Sequence, residues 1–423
     1  MPGRRTRRAR RGALGALLSV GAADYAGAVI MFVGDRSVSP RAYDQRVAPS
    51  TLAYATPTVL RWARESSGYS LEEAAQKIGV RWSKLMKVEE GADLLTLRQA
   101  ERAADVYERP LAALFMAEPP TEEPQEAQFR RLRDAPALPW PAAMQLLARR
   151  IRDRQEAAVE LYEALGQPPP WLEAVKTFEA ADLASLPQVA RTVLGVSRDE
   201  QRGWADDYAP LRGWTDAVEA LGVLVMQDGS MGVGEMRGFA SVHPAVPAIV
   251  ANTQDEPHAR AFTVVHEFGH LVLAARGVPV GPDTERWCNQ FAGAVIMPPD
   301  WFAEAFRASA GRPLLARVDA LSRTFGVTPL AAAVNVAQAG LASHADTNAT
   351  IDQIRQRAAA GERRRGGGNY YLNQIASFGP GFIRLVFSAL DSQAVTYPTA
   401  SALLGRVKVN HFERLRDELS HRA

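Results

Sequence analysis

Between Val264 and Val272 the chain reads His266-Glu267-Phe268-Gly269-His270, an HExxH arrangement set in an apolar run. On a helix, residues four apart project from one face, so the two imidazoles come within reach of one cation. Neutral imidazole suits zinc, and Glu267 stands where a general base for water activation is needed. This is the chemistry of metal-assisted hydrolysis. A catalytic zinc keeps three protein ligands and one open position, so a further ligand is expected downstream. Glu285 is the expected third ligand, with Asp283 as the alternative. The donor set favours zinc and is compatible with manganese.

These groups need two helices to hold them. Phe262, Val265, Leu271 and Val272 give the first helix a face for a core, which a metal-bearing helix must have to keep its ligands still. Trp287, Phe291, Ala294 and Val295 recur at helical spacing and predict a second, ended before Pro298-Pro299. Glu285 lies near its start, and Asn289 is one turn further along the same face. Three short β-rich runs precede the pair, at 221–227, 238–242 and 248–252, bounded by Gly, Pro, Asp and Asn. Arg237 and Asn252 flank these runs and, with Asn289, are candidates for positioning substrate or an oxyanion.

The string HEFGH followed by ERWCNQFAGAVIMP resembles the ImmA/IrrE family of metallopeptidases, through Glu285, Asn289, Phe291, Ala292 and Met297-Pro298. Cys288 stands where that family usually carries alanine. The resemblance implies a compact gluzincin-like domain that cleaves a partner protein, often a repressor. It also implies a small sheet whose edge strand pairs with an extended substrate backbone.

Upstream, residues 51–118 predict an all-helical module. Ser70 with Glu73 makes a capping box for a helix over 71–78, Gly79-Val80 the tight turn, and 81–90 the next helix. Further helices are expected over 96–107 and 110–116. A Gly-containing turn between the second and third short helices reads as helix-turn-helix, with the third entering the major groove. The segment resembles the XRE-type DNA-binding domain fused ahead of ImmA/IrrE peptidases. Arg81, Ser83, Lys84 and Lys87 are the candidate DNA-facing residues, basic groups for phosphates and Ser83 for a base edge. Glu89 and Glu90 would repel phosphates if they faced them.

The 423 residues suffice for two or three domains, and a hydrophobic fraction of 47% with 23% charged is that of an ordinary globular protein. A net charge of +2 leaves no global nucleic-acid footprint, so DNA contact must come from a local patch. The single cysteine, Cys288, excludes an intramolecular disulfide framework and suits a reducing cytoplasm, where it reads as a small buried hydrophobe.

The expected fold is mostly α with a small β-sheet. Residues 1–50 are expected to be a disordered or over-extended tail with translation starting at Met31; the short apolar run after the arginine pairs does not span a bilayer. The helix-turn-helix module (51–118) then leads through a helical connector (119–200) to the peptidase (201–341). In the connector, the string Arg149 to Arg154 reads as a solvated helix face. A hydrophilic linker (342–368) and a C-terminal helical segment (369–423), expected to bind a partner, complete the chain.

The function expected is a cytoplasmic, metal-dependent endopeptidase, acting on a repressor-like protein in transcriptional or stress regulation and fused to a module for double-stranded DNA. The alternative is a DNA-binding antitoxin or repressor of a toxin–antitoxin pair, with a cognate toxin as partner and a structural or vestigial metal site.

Overall fold

The computed structural model describes residues 51–121, 140–278, 281–360 and 369–421. The expectations for the N-terminal tail and for 361–368 fall outside them. No helix among the described residues is long and apolar enough to cross a membrane. The chain divides into two compact units, one holding the described residues up to 146 and the other those from 147 onward.

In the first unit, α1 (Pro57–Glu65), α2 (Leu71–Ile78), α3 (Trp82–Glu89) and α4 (Leu97–Val106) surround Leu60, Ala74, Leu85, Val88 and Tyr107. Ser70 and Glu73 close the predicted capping box on α2, and Gly79 ends it in the left-handed region at φ 82°. The expected fifth helix is a 3-10 turn over Leu111–Phe115. Two two-residue strands that carried no sequence signal, β1 (Leu52–Ala53) and β2 (Leu95–Thr96), pair antiparallel and tie the start of the module to the loop after α3.

In the second unit, α5 (Ala142–Leu165), whose first turn belongs to the first unit, is followed by α6 (Trp171–Ala180), α7 (Leu186–Leu194), α8 (Arg198–Arg202) and α9 (Ala209–Glu219). The three expected strands follow: β3 (Leu224–Asp228), β4 (Gly238–Ser241) and β5 (Ala248–Asn252), in the order β3-β5-β4. β3 runs parallel to the central β5, and β4 runs antiparallel to it with Phe239 opposite Val250. α10 (Pro257–Ala275) packs on the sheet and α11 (Pro282–Ile296) packs on α10, followed by α12 (Pro299–Ala308), α13 (Leu314–Phe325) and α14 (Pro329–Gln338).

The expected connector is part of this core. Trp171 and Phe178 meet Phe268 of α10 edge-on at 6.3 and 5.6 Å, and Leu186, Ala190 and Leu194 are buried in the same cluster. The expected solvated face of α5 is also corrected. Arg150 pairs with Asp228 at 3.3 Å, while Arg154 donates to the Ser377 carbonyl at 2.6 Å and lies over the Phe378 ring at 4.2 Å. Their partners lie far along the chain, so charge alone suggested solvent.

The expected linker is corrected too. Residues of α15 (His344–Ala360) bury Thr347, Thr350 and Ile354 against the core, and Arg357 pairs with Asp319 of α13 at 2.8 Å. The C-terminal α16 (Tyr370–Phe378), α17 (Pro380–Asp391), α18 (Tyr397–Leu403) and α19 (Phe412–Ser420) form the expected helical segment. The turn between α16 and α17 closes on β3, where a Cβ on Gly379 would stand 2.7 Å from the Val225 carbonyl. Both the small sheet and the predominance of helix agree with the expected fold class.

Candidate metal centre and substrate cleft

Both histidines sit mid-helix on α10, where burial of Val264, Val265, Phe268, Leu271 and Val272 fixes the helix against the core. Gly269 permits the next step. A Cβ there would meet Phe291 at 2.9 Å and Cys288 Sγ at 3.4 Å, so glycine lets α11 lie close to α10, and the small side chain at 288 fills the seam. Cys288 is buried, as expected of a small hydrophobe. The end of α11 is secured by Arg191, which donates to the Val295 carbonyl at 2.7 Å, and by buried Gln201, which donates to the Ile296 carbonyl at 3.0 Å. These bonds satisfy carbonyls that a helix end leaves open.

The start of α11 thereby brings Glu285 to the imidazoles. His266 Nε2 and His270 Nε2 are 3.2 Å apart, and the Glu285 carboxylate stands 3.5 Å from the first and 3.0 Å from the second. Ligands about 2.1 Å from a tetrahedral ion lie about 3.4 Å from one another, so the three separations fit a single small cation at their centre. The two histidines are buried and Glu285 half-buried, forming a three-ligand cluster. Burial alone would raise the Glu285 carboxyl, yet the adjoining imidazoles hold it well below the usual carboxylate range. A charged carboxylate at this place matches a cation-binding role. Asp283, the alternative ligand, is exposed and outside the cluster.

The cluster opens into a cleft of about 1190 Å³. Its lining includes Glu267, Arg237 and Gly238 at the start of β4, and Asn289 one turn beyond Glu285. Glu267 is 4% exposed, and its Oε1 lies 3.4 Å from where a Cβ on Gly238 would be. Arg237 is mostly exposed and pairs with Asp255 at 3.3 Å.

Asn252 does not line the cleft. Fully buried, it donates through Nδ2 to the Met231 and Met236 carbonyls at 2.9 and 2.7 Å and accepts from the Gln254 amide at 2.9 Å. Its amide is spent on holding residues 229–237, the loop that supplies one cleft wall, so it cannot serve substrate directly. The sequence reading also missed Leu330, Val334 and Asn335 of α14, which line the same cleft. Their helical spacing was visible, but nothing in it distinguished a cleft face from a core face.

In the first unit, Arg81 and Lys87 are exposed on α3, Ser83 is half-buried, and Lys84 donates to Gln99 at 3.2 Å. Glu89 turns inward: it is 5% exposed and takes a two-pronged pair from Arg64 at 2.8 and 2.9 Å. The repulsion expected from two acids thus reduces to Glu90. Trp82, 52% exposed in the first turn of α3, is an aromatic neighbour of Arg81 that the sequence reading passed over.

An HExxH helix, a carboxylate from the following helix and a small sheet beside an open cleft define a metallopeptidase-like domain. Residues 218–336 match the family described as IrrE N-terminal-like domain, and residues 58–114 match that described as helix-turn-helix domain. The chain thus joins an IrrE-like peptidase domain to a helix-turn-helix domain, the ImmA/IrrE architecture that its motifs resembled. No curated protein and no solved structure matches it.

Proposed function

We propose that this chain is a zinc-type metallo-endopeptidase that cleaves a partner protein, a repressor-like regulator, and that its first unit binds double-stranded DNA. The observation that carries the reading is the convergence of His266, His270 and Glu285 at tetrahedral ligand spacing, with Glu267 beside them in an open cleft. His266, His270 and Glu285 hold the ion. When bound, a divalent cation supplies Lewis acidity, making water easier to deprotonate and a carbonyl easier to attack. Glu267 takes the proton from the attacking water as the new C–O bond forms, then returns it to the leaving amine as the amide C–N bond breaks. Arg237 and Asn289 orient the substrate from the two walls.

On the DNA side, Arg81, Lys84 and Lys87 meet phosphates and Ser83 a base edge. We infer a cytoplasmic location from this DNA-binding reading.

The decisive experiment uses the zinc-loaded full chain with repressor-like proteins of its own cell, reading fragments by mass spectrometry. Glu267→Gln keeps zinc and loses cleavage by at least about 100-fold, while its salt-dependent DNA binding is unchanged. Undiminished cleavage by that variant would sink the assignment. If neither chain cleaves and both repress equally, the antitoxin or repressor reading takes its place.

A further inference from the structure

The helix α14 divides its faces unevenly. Ala332, Ala333 and Val336 are buried in the core, whereas Leu330 and Val334, one turn apart, are each 38% exposed and line the same cleft as His266, Glu267 and Glu285. An isolated surface leucine means little; two apolar side chains side by side in a catalytic concavity are a recognition feature. β4, whose first residue Gly238 lines the same cleft, is the outer strand of the sheet, and among the described residues no strand pairs with its other edge. Such an edge offers N–H and C=O groups to an extended backbone, while neighbouring pockets sort the side chains. The cleft, at about 1190 Å³, exceeds the roughly 300–1,000 Å³ of small-molecule pockets. Asn289, Asn335 and Gln338 add amide groups suited to a polypeptide backbone.

We propose that Leu330 and Val334 form an apolar rail that selects an extended peptide segment through an aliphatic or aromatic side chain next to the bond presented to Glu267. The rail determines specificity and rests on the peptidase reading above. Without it the β4 edge would accept any extended sequence, because backbone pairing is blind to side chains.

The test uses zinc-loaded full chain and a randomised peptide library, with cleavage products sequenced by mass spectrometry. The same peptides are titrated by fluorescence anisotropy against zinc-loaded Glu267→Gln, alone and combined with each rail substitution. Wild type should favour Leu, Ile, Val, Met or Phe over Asp or Glu at one subsite by at least about tenfold. Val334→Asp and Leu330→Asp should move that preference towards Lys and Arg, and Val334→Lys towards Asp and Glu, with zinc content and circular dichroism unchanged.

Cleavage whose side-chain profile is identical in all three variants overturns the rail and leaves the peptidase standing. Binding that is apolar-selective and shifts with Val334→Asp, but without hydrolysis by wild type, supports the rail and removes the peptidase. Neither cleavage nor binding of any library member overturns the rail.

Discussion

The Nε2 atoms of His266 and His270 stand 3.2 Å apart, and the carboxylate of Glu285 reaches both. Three electron-rich groups so close favour a cation between them over mutual hydrogen bonding. Glu285→Ala should therefore weaken zinc binding by at least about 100-fold, measured by competition with a chromophoric chelator. Chelation should lower the melting temperature of wild type and leave that of the variant almost unmoved, since only a bound ion stabilises the fold by mass action. Equal zinc affinity in the two proteins would place the ion elsewhere.

Gly238 sets the seat of Glu267. A Cβ there would collide with Thr263 Cγ2, stand 2.7 Å from the Val250 carbonyl and press on Glu267 Oε1. Gly238→Ala should cost about 1–3 kcal/mol of stability through overpacking and reduce kcat by displacing Glu267. Adding Thr263→Ser removes the obstructing methyl and should restore part of both losses. Simple additivity of the two substitutions in a double-mutant cycle would refute the coupling.

Glu219, at the end of α9, is buried against the turn between α16 and α17, with Arg384 at 2.9 Å. Burial outweighs the arginine and pushes its carboxyl up from 4.5 to about 8. Between those values the unfolded chain has released the proton and the folded chain retains it. Stability is thus fullest below about pH 4.5 and declines as pH rises towards 8, by at most about 1.4 kcal/mol per pH unit from this group. Chemical denaturation across pH 5–8 should show a shallower decline for Glu219→Gln than for wild type; parallel curves would mean that Glu219 is charged in the folded state.

The site was legible where local spacing carries the information. HExxH fixes two histidines on one helix face, a pair of prolines ends the next helix, and Ser70 with Glu73 marks a capping box. The sequence pattern failed where a residue's partner is remote. Thr347, Thr350, Ile351 and Ile354 share a helix face, but the threonines hide the apolar stripe of α15, so the segment read as linker. Glu89 read as a surface acid because its partner, Arg64, lies two helices away. Asn252 had the right residue type for binding substrate, and the loop it holds could be seen only in three dimensions.

The covering of β3 by the C-terminal helices has a consequence for self-association. A sheet open on both rims could propagate from molecule to molecule, each copy templating the next into fibrils. Here one rim is sealed by the chain itself, and the other, β4, runs for only four residues, the first of which lines the cleft. A visiting strand can add at that rim, while growth into an endless ribbon has no second rim from which to continue.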